Sequence, residues 1–298
     1  MSTIQQFTSL LPNDVLSRVE RMRLSPVKRL TNRQRGEHLS DKGGTSVDFA
    51  DYRDYVAGDD LRHIDWNIFS RLNQPYLKLY AHEEDMHCVL ILDGSTSMMF
   101  EGKFELARQV AAALGVMGLM NVERVSVYSC TASQKEPVFL PPSGGRASLK
   151  RFFSFLEGLS GGGDCTVEAA VEAALRRHRG RGIAVVLSDF LTFGDVVRPF
   201  NQLHASGLEI YGIQILAPIE INPELTGDLR IVDSENEQTL DISSAGELLG
   251  LYHEHRLGLE THLSAECRKR NGRFLSVSSA DSIKTVLFDR LLRRGWVR

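Results

Sequence analysis

This sequence predicts an α/β fold: a doubly wound, mainly parallel sheet behind an N-terminal β-rich elaboration. Three observations point there. From residue 87 onward, short apolar runs alternate with segments whose apolar residues recur at i, i+3, i+4 and i+7, which is how strands alternating with amphipathic helices read. The run Ile-Ala-Val-Val-Leu at 183–187 is apolar throughout, as a strand covered on both faces must be. The 298 residues, 42% of them hydrophobic, suffice for a sizeable core in one large domain or two smaller ones.

The elements follow in order. Residues 12–24 place Val15, Leu16, Val19 and Met22 on one face of a short amphipathic helix. Residues 30–80 are rich in Gly, Asp, Arg and aromatics, with short extended pieces joined by turns at Gly43-Gly44 and Gly58-Asp59. Residues 87–93 form a strand, 104–120 a helix with Ala107, Val110, Ala111, Leu114 and Met117 inward, and 124–130 another strand. Leu149, Phe152, Phe153, Leu156 and Leu159 mark the next helix. Glycines 161–163 then lead into a helix that buries Val167, Ala170, Val171, Ala174 and Leu175. Strands at 183–187 and 208–216 come next, and 229–232 with 239–242 flank a polar stretch as a hairpin. A long helix (about 244–270), a strand at 273–277 and a last helix with Ile283, Val286, Leu287 and Leu291 inward complete the series. Right-handed crossovers wind such a series onto both faces of the sheet. The boundary falls between 1–84, the helix plus the β-rich segment, and 85–298, the α/β domain.

A net charge of −3 excludes broad nucleic-acid binding, which needs a strongly basic face. The crowded Arg18, Arg21, Arg23, Lys28, Arg29, Arg33 and Arg35 read as a solvated or partner-facing patch. Cys88, Cys130, Cys165 and Cys267 form no C-x-x-C pair, so neither a zinc site nor a disulfide framework is expected and a reducing compartment fits. No run approaches the roughly 20 apolar residues of a membrane span, and no apolar leader opens the chain. The expectation is a cytoplasmic protein without membrane insertion.

The apolar run 89–92 ends in Asp93-Gly94-Ser95-Thr96-Ser97. In a parallel sheet the strand ends share one edge, where open α/β folds bind ligands. Asp189 ends the strand at 183–187, and Thr166 lies between the glycines and the helix it starts. Topology thus gathers five oxygen donors, Asp93, Ser95, Ser97, Thr166 and Asp189. Oxygen-only donors with two carboxylates suit a hard divalent cation, Mg²⁺ or else Mn²⁺ or Ca²⁺. Each residue alone reads as a helix cap or turn former; the set in this order reads as a metal site. A P-loop is excluded because Gly102-Lys103 is followed by Phe104, and a nucleophile elbow because G-x-S-x-G is absent.

Asp93-Gly94-Ser95-Thr96-Ser97 resembles the D-x-S-x-S of von Willebrand factor type A domains, which opens their metal-ion-dependent adhesion site (MIDAS). The resemblance implies that Ser95 and Ser97 bind the ion directly, Thr166 directly or through water, and Asp93 and Asp189 largely through water. An acidic side chain of a partner would take the open position. The Gly161-Gly162-Gly163-Asp164-Cys165-Thr166 run departs from the family, whose Thr follows Gly almost at once. A second stretch, Asp48-Phe49-Ala50-Asp51-Tyr52-Arg53-Asp54-Tyr55 continuing to Gly58-Asp59-Asp60-Leu61-Arg62-His63-Ile64-Asp65-Trp66, resembles the signature of the bacterial DUF58 family. Its members join such a segment to a von Willebrand A-like domain and are commonly encoded beside MoxR-type AAA+ ATPases. Asp59, Asp60, Arg62, Asp65 and Trp66 are the candidates here for partner contact; a charged platform of paired Arg and Asp is the plainer reading. The expected function is a non-enzymatic, metal-dependent interaction module, an adaptor between a MoxR-type ATPase and a client protein. The alternative is a Mg²⁺-dependent hydrolase of phosphoester type using Asp93 or Asp189.

Overall fold

The computed structural model describes residues 6–27, 31–32, 47–83, 86–121, 123–130, 136–162, 166–191, 196–223, 229–232, 239–242 and 245–298. The chain begins with helix α1 (Asn13–Val19), strands β1 (Thr31–Asn32) and β2 (Val47–Asp54), helix α2 (Trp66–Leu72) and strand β3 (Tyr76–Glu83). Then come β4 (His87–Leu92), α3 (Lys103–Met120), β5 (Arg124–Ser129), β6 (Val138–Ser143), α4 (Leu149–Glu157), α5 (Val167–Arg177) and β7 (Gly182–Ser188). It continues through α6 (Val197–Ala205), β8 (Leu208–Leu216), a short α7 (Pro218–Ile221), the hairpin β9 (Leu229–Val232) and β10 (Thr239–Ile242), α8 (Ala245–Lys269) and β11 (Arg273–Ser278). A π-helical segment, Thr285–Leu291, follows.

Two units emerge: Met1–Lys28 with Met86–Arg298, and Arg29–Asp85. In the second, β3 pairs antiparallel with β1 and β2, and Asp65 caps α2. In the first, six strands lie in the order β11-β8-β7-β4-β5-β6. Only β6 runs antiparallel to its neighbour in that sheet. The predicted doubly wound, mainly parallel fold is therefore the observed one. Residues 1–28 do not group with the β-rich segment, because their backbone is tied to the other end of the sequence. Leu24 pairs with Val297, and Arg23 and Arg298 exchange N–H···O bonds of 2.8 and 2.9 Å.

Successive strand residues serve opposite faces. Val89, Ile91, Ala184, Val186 and Ile210 meet Ala170, Val171 and Ala174 of α5, Phe200 and Leu203 of α6, and Leu263 and Cys267 of α8. The intervening Leu90, Val127 and Val185 are equally buried, and α3 covers that face with α1 and α4 packed on it. Helices α2, α6 and α7 and strand β6 have no counterpart in the sequence reading. Strand β6 contains Pro141 and Pro142, which lack the N–H of a ladder residue and are tolerated because β6 is an edge. Helix α6 carries Pro199 in its first turn, where no intrahelical N–H bond is lost.

The cysteine expectation needs one correction. Cys88 and Cys267 are buried free thiols, as small hydrophobes would be, but Cys130 is disulfide-bonded. It follows the last residue of β5, on the edge where loops converge rather than inside a strand. Cys165 lies outside the described residues.

At the opposite end of the sheet two buried imidazoles stack, His87 of β4 and His178 at the end of α5, with ring centroids 5.1 Å apart. His178 Nε2 faces the carbonyls of Gly180 (2.9 Å) and Ser206 (3.2 Å), so it carries the proton there. His178 Nδ1 then accepts from His87 Nδ1 at 2.9 Å, and His87 Nε2 accepts from the Ser126 hydroxyl at 2.8 Å. Both rings are neutral in this arrangement. The relay fastens β4 and β5 to the turns before β7 and β8.

Candidate functional site

The strand order reverses beside β4: the chain goes to β5 and β6 on one side, and to β7, β8 and β11 on the other. Such a switch point opens a crevice at the carboxyl ends of the strands. Asp93 extends β4 there through its N–H to Leu187 O at 2.9 Å, and is 1% exposed. Its Oδ1 accepts the Ser95 N–H at 2.9 Å, and its Oδ2 accepts the Ser188 hydroxyl at 2.6 Å. Ser95 and Ser97 stand with their Oγ atoms 3.0 Å apart. Burial pushes the Asp93 carboxyl above the ordinary range; the neighbouring Asp189 charge adds to this, while bonds from Ser188 and Ser95 oppose it.

Asp189 directly follows β7 and is fully buried. Its Oδ1 accepts the Leu191 N–H at 3.1 Å, and its Oδ2 lies 2.9 Å from Lys103 Nζ. Lys103 in turn reaches Glu220 Oε1 at 2.7 Å. Phe190, next to Asp189, holds a left-handed backbone with φ of 55°, a conformation that costs a non-glycine residue energy and that collects at functional sites. Gln214 of β8 donates Nε2 to Asp189 O at 2.9 Å, leaving its buried Oε1 without a hydrogen-bond partner among the described residues.

The glycines before Thr166 have a packing reason. Gly162 N–H donates to Gly94 O at 2.8 Å, drawing their loop onto the tip of β4. Thr166 is exposed and accepts the Ala169 N–H with its side chain, capping α5. Its carbonyl oxygen lies 3.3 Å from Cys130 Sγ. The structure thus gathers Asp93, Ser95, Ser97 and Asp189 closely and fixes the Thr166 segment beside them through backbone contacts; residues 163–165 lie outside the described set.

Sequence reasoning missed Ser188, Lys103, Gln214 and Glu220. Ser188 was legible as the neighbour of Asp189. Nothing local marks Gln214 or Glu220, which reach the site from β8 and α7.

These residues suit a hard cation. Cis ligands of an octahedral Mg²⁺ stand about 3 Å apart when each bond is about 2.1 Å, which is the spacing of the two serine hydroxyls. Among the described residues no three His, Cys, Asp or Glu side chains form a metal-ligating group.

The second predicted set lies in the Arg29–Asp85 unit. Asp65 accepts the N–H groups of Asn67 and Ile68, and pairs with Lys78 at 3.0 Å. Asp60 caps the turn Leu61–His63 and pairs with Arg62 at 2.7 Å, which lowers its carboxyl to about 2. Asp59 pairs with Arg53 at 2.6 Å. These aspartates serve the local fold, while Arg62 and Trp66 face outward, with Val56, Leu61 and Leu72 also exposed.

Comparison with known proteins places the chain. A family model described as protein of unknown function DUF58 matches residues 51–253. An uncharacterized protein of Mycobacterium tuberculosis, Rv1480, is 26% identical over 208 residues, spanning 67% of this chain and 65% of its own length. Among solved structures, BatB from Bacteroides thetaiotaomicron is 15% identical, covering 70% of this chain and 98% of its own at a TM-score of 0.42. A von Willebrand factor type A protein from Catenulispora acidiphila is 16% identical, covering 45% and 34% at a TM-score of 0.36. Among the described residues no helix is long and apolar enough to cross a membrane.

Proposed function

The chain belongs to the DUF58 family, and from that premise we propose that it is a non-enzymatic interaction module whose strand-tip site takes an acidic side chain of a partner protein through a divalent cation. The observation that carries this reading is the pair of serine hydroxyls, 3.0 Å apart, above the buried carboxylates Asp93 and Asp189. Ser95 and Ser97 would hold the ion, Thr166 would join them directly or through water, and Asp93 and Asp189 would act from behind. When bound, the cation supplies the charge that lets a partner's carboxylate be desolvated at an interface.

The rim supports the same reading. Met99 and Phe100 follow Ser97, Leu191 follows Asp189, and Ile219 lies in α7; these four are 40–48% exposed. Aromatic and Met side chains are enriched in the cores of protein–protein interfaces. Hydrolysis is the weaker reading, because Lys103, the cation beside Asp189, is committed to ion pairs. By family resemblance, the partner we propose is a MoxR-type AAA+ ATPase, with this chain as the adaptor that presents a client protein.

The test is capture of the purified MoxR-type ATPase from the same genome by immobilised full-length chain, with Mg²⁺ and with chelator. Capture should need Mg²⁺ and vanish in Asp93→Ala and Ser97→Ala. Phe100→Ala should weaken capture several-fold while leaving Mn²⁺ binding unchanged. Equal capture with and without metal overturns the reading.

A further inference from the structure

A cation already sits beside the strand tips. Lys103, the first residue of α3, is fully buried, and its ammonium bridges Asp189 Oδ2 at 2.9 Å and Glu220 Oε1 at 2.7 Å. Taking an ammonium and a carboxylate out of water costs several kcal/mol per ion, so a pair this deep persists only where its geometry is tightly held. Both ends are held. Asp189 is fixed by the Leu191 N–H and stands near the Asp93 charge. Glu220 Oε2 accepts the Ala217 N–H at 2.7 Å, and its carbonyl oxygen accepts the Tyr252 hydroxyl of α8 at 2.5 Å.

We propose that Lys103 is the resident counter-cation of the strand-tip site, that it keeps Asp189 in place without metal, and that it sets the affinity for divalent cations, with Glu220 balancing its charge. This rests on the metal-dependent reading above. Two like-charged and buried carboxylates, Asp93 and Asp189, would repel one another if no positive charge stood beside Asp189. The ammonium removes that penalty, and it also repels any incoming divalent ion. Glu220 draws part of the ammonium's field toward α7 and so restores room for the second cation. Removing the lysine charge therefore strengthens the pull on a metal, and removing the glutamate charge weakens it.

The opposite signs make the experiment decisive, since a merely structural role would move both variants the same way. Mn²⁺ is titrated calorimetrically into the full-length wild type, Lys103→Met and Glu220→Gln, and each protein is melted with and without Mn²⁺. Lys103→Met should bind Mn²⁺ about tenfold more tightly than wild type, melt lower without metal, and show the largest rise on adding it. Glu220→Gln should bind it more weakly by a comparable factor. Should Lys103→Met fail to fold, Lys103→Gln, which keeps an N–H donor for Asp189 without the charge, takes its place in the comparison. Shifts of the same sign, or unchanged affinity in both variants while wild type binds, overturn the role of Lys103 and leave the metal site standing. A wild type that binds no Mn²⁺ overturns both.

Discussion

Gly94 sits where no side chain fits. A Cβ there would fall 1.8 Å from the Cys130 carbonyl oxygen, and the Gly94 carbonyl is the anchor for Gly162. Gly94→Ala must push the ends of β4 and β5 apart, which should cost about 2–4 kcal/mol in chemical denaturation, a loss of the size that overpacking and strain produce. An unchanged denaturation midpoint would show that the two loops yield freely. The same small region shows what sequence can and cannot disclose about a site. Asp93, Ser95, Ser97 and Asp189 were legible because strand ends share an edge and because oxygen donors in this spacing are distinctive. Lys103 was not, because a lysine at the start of a helix ordinarily reads as solvated and is almost never fully buried unless paired. Its partners, Asp189 after β7 and Glu220 in α7, are brought near only by the tertiary fold.

Thr166 tests whether a helix cap and a metal ligand share one side chain. It opens α5 by accepting the Ala169 N–H, a bond whose loss in Thr166→Ala should cost about 1 kcal/mol. That cost should appear in urea titrations run in chelator; with Mn²⁺ present, a further loss of metal stabilisation should add to it. Thr166→Ser should restore both. A variant that loses the cap energy alone would confine Thr166 to capping. At this scale the strongly periodic elements, α3, α5, α8 and the buried strands, were legible within a residue or two. Those carried by exception were not. The short α2 depends on one aspartate cap, β6 contains two prolines, and α6 begins around a third. The prolines argue against regular structure, and only an edge or a first turn tolerates them.

The acid stability of the whole α/β unit hinges on the end of the sheet away from the site. Burial, the main cause, lowers both His87 and His178, His87 to about 3; repulsion from His178 and Arg124 adds to the shift of His87, while for His178 the bonds to the Gly180 and Ser206 carbonyls oppose burial and Arg124 and Arg179 reinforce it. The unfolded chain takes up protons on these rings from about pH 6.5 downward while the folded chain does not, so their stabilisation is complete above that pH and declines below it. The slope reaches about 1.4 kcal/mol per pH unit for His87, and His178 adds to it in the same direction. Glu123, raised to about 8 by burial, and Asp93, also raised, act oppositely, favouring the fold as pH falls. The imidazole contribution is therefore read as a difference: urea midpoints between pH 7.5 and 5 should fall more steeply for wild type than for His178→Gln. Parallel curves would remove the pair from the account of acid stability.

The joining of residues 23–25 to 296–298 bears on how the molecule comes into being. Emerging from a ribosome, the Arg29–Asp85 unit has all its strand partners in hand once residue 83 has appeared. The segment ahead of it does not, since Leu24 must wait for Val297. The pairing of residues 23–25 is thus among the last contacts of the α/β unit to form, after α1 has had α3 to pack on. Closing this pairing waits until residue 298 has appeared, and a chain stalled short of residue 296 would leave residues 23–25 without that strand partner however well its central sheet had formed.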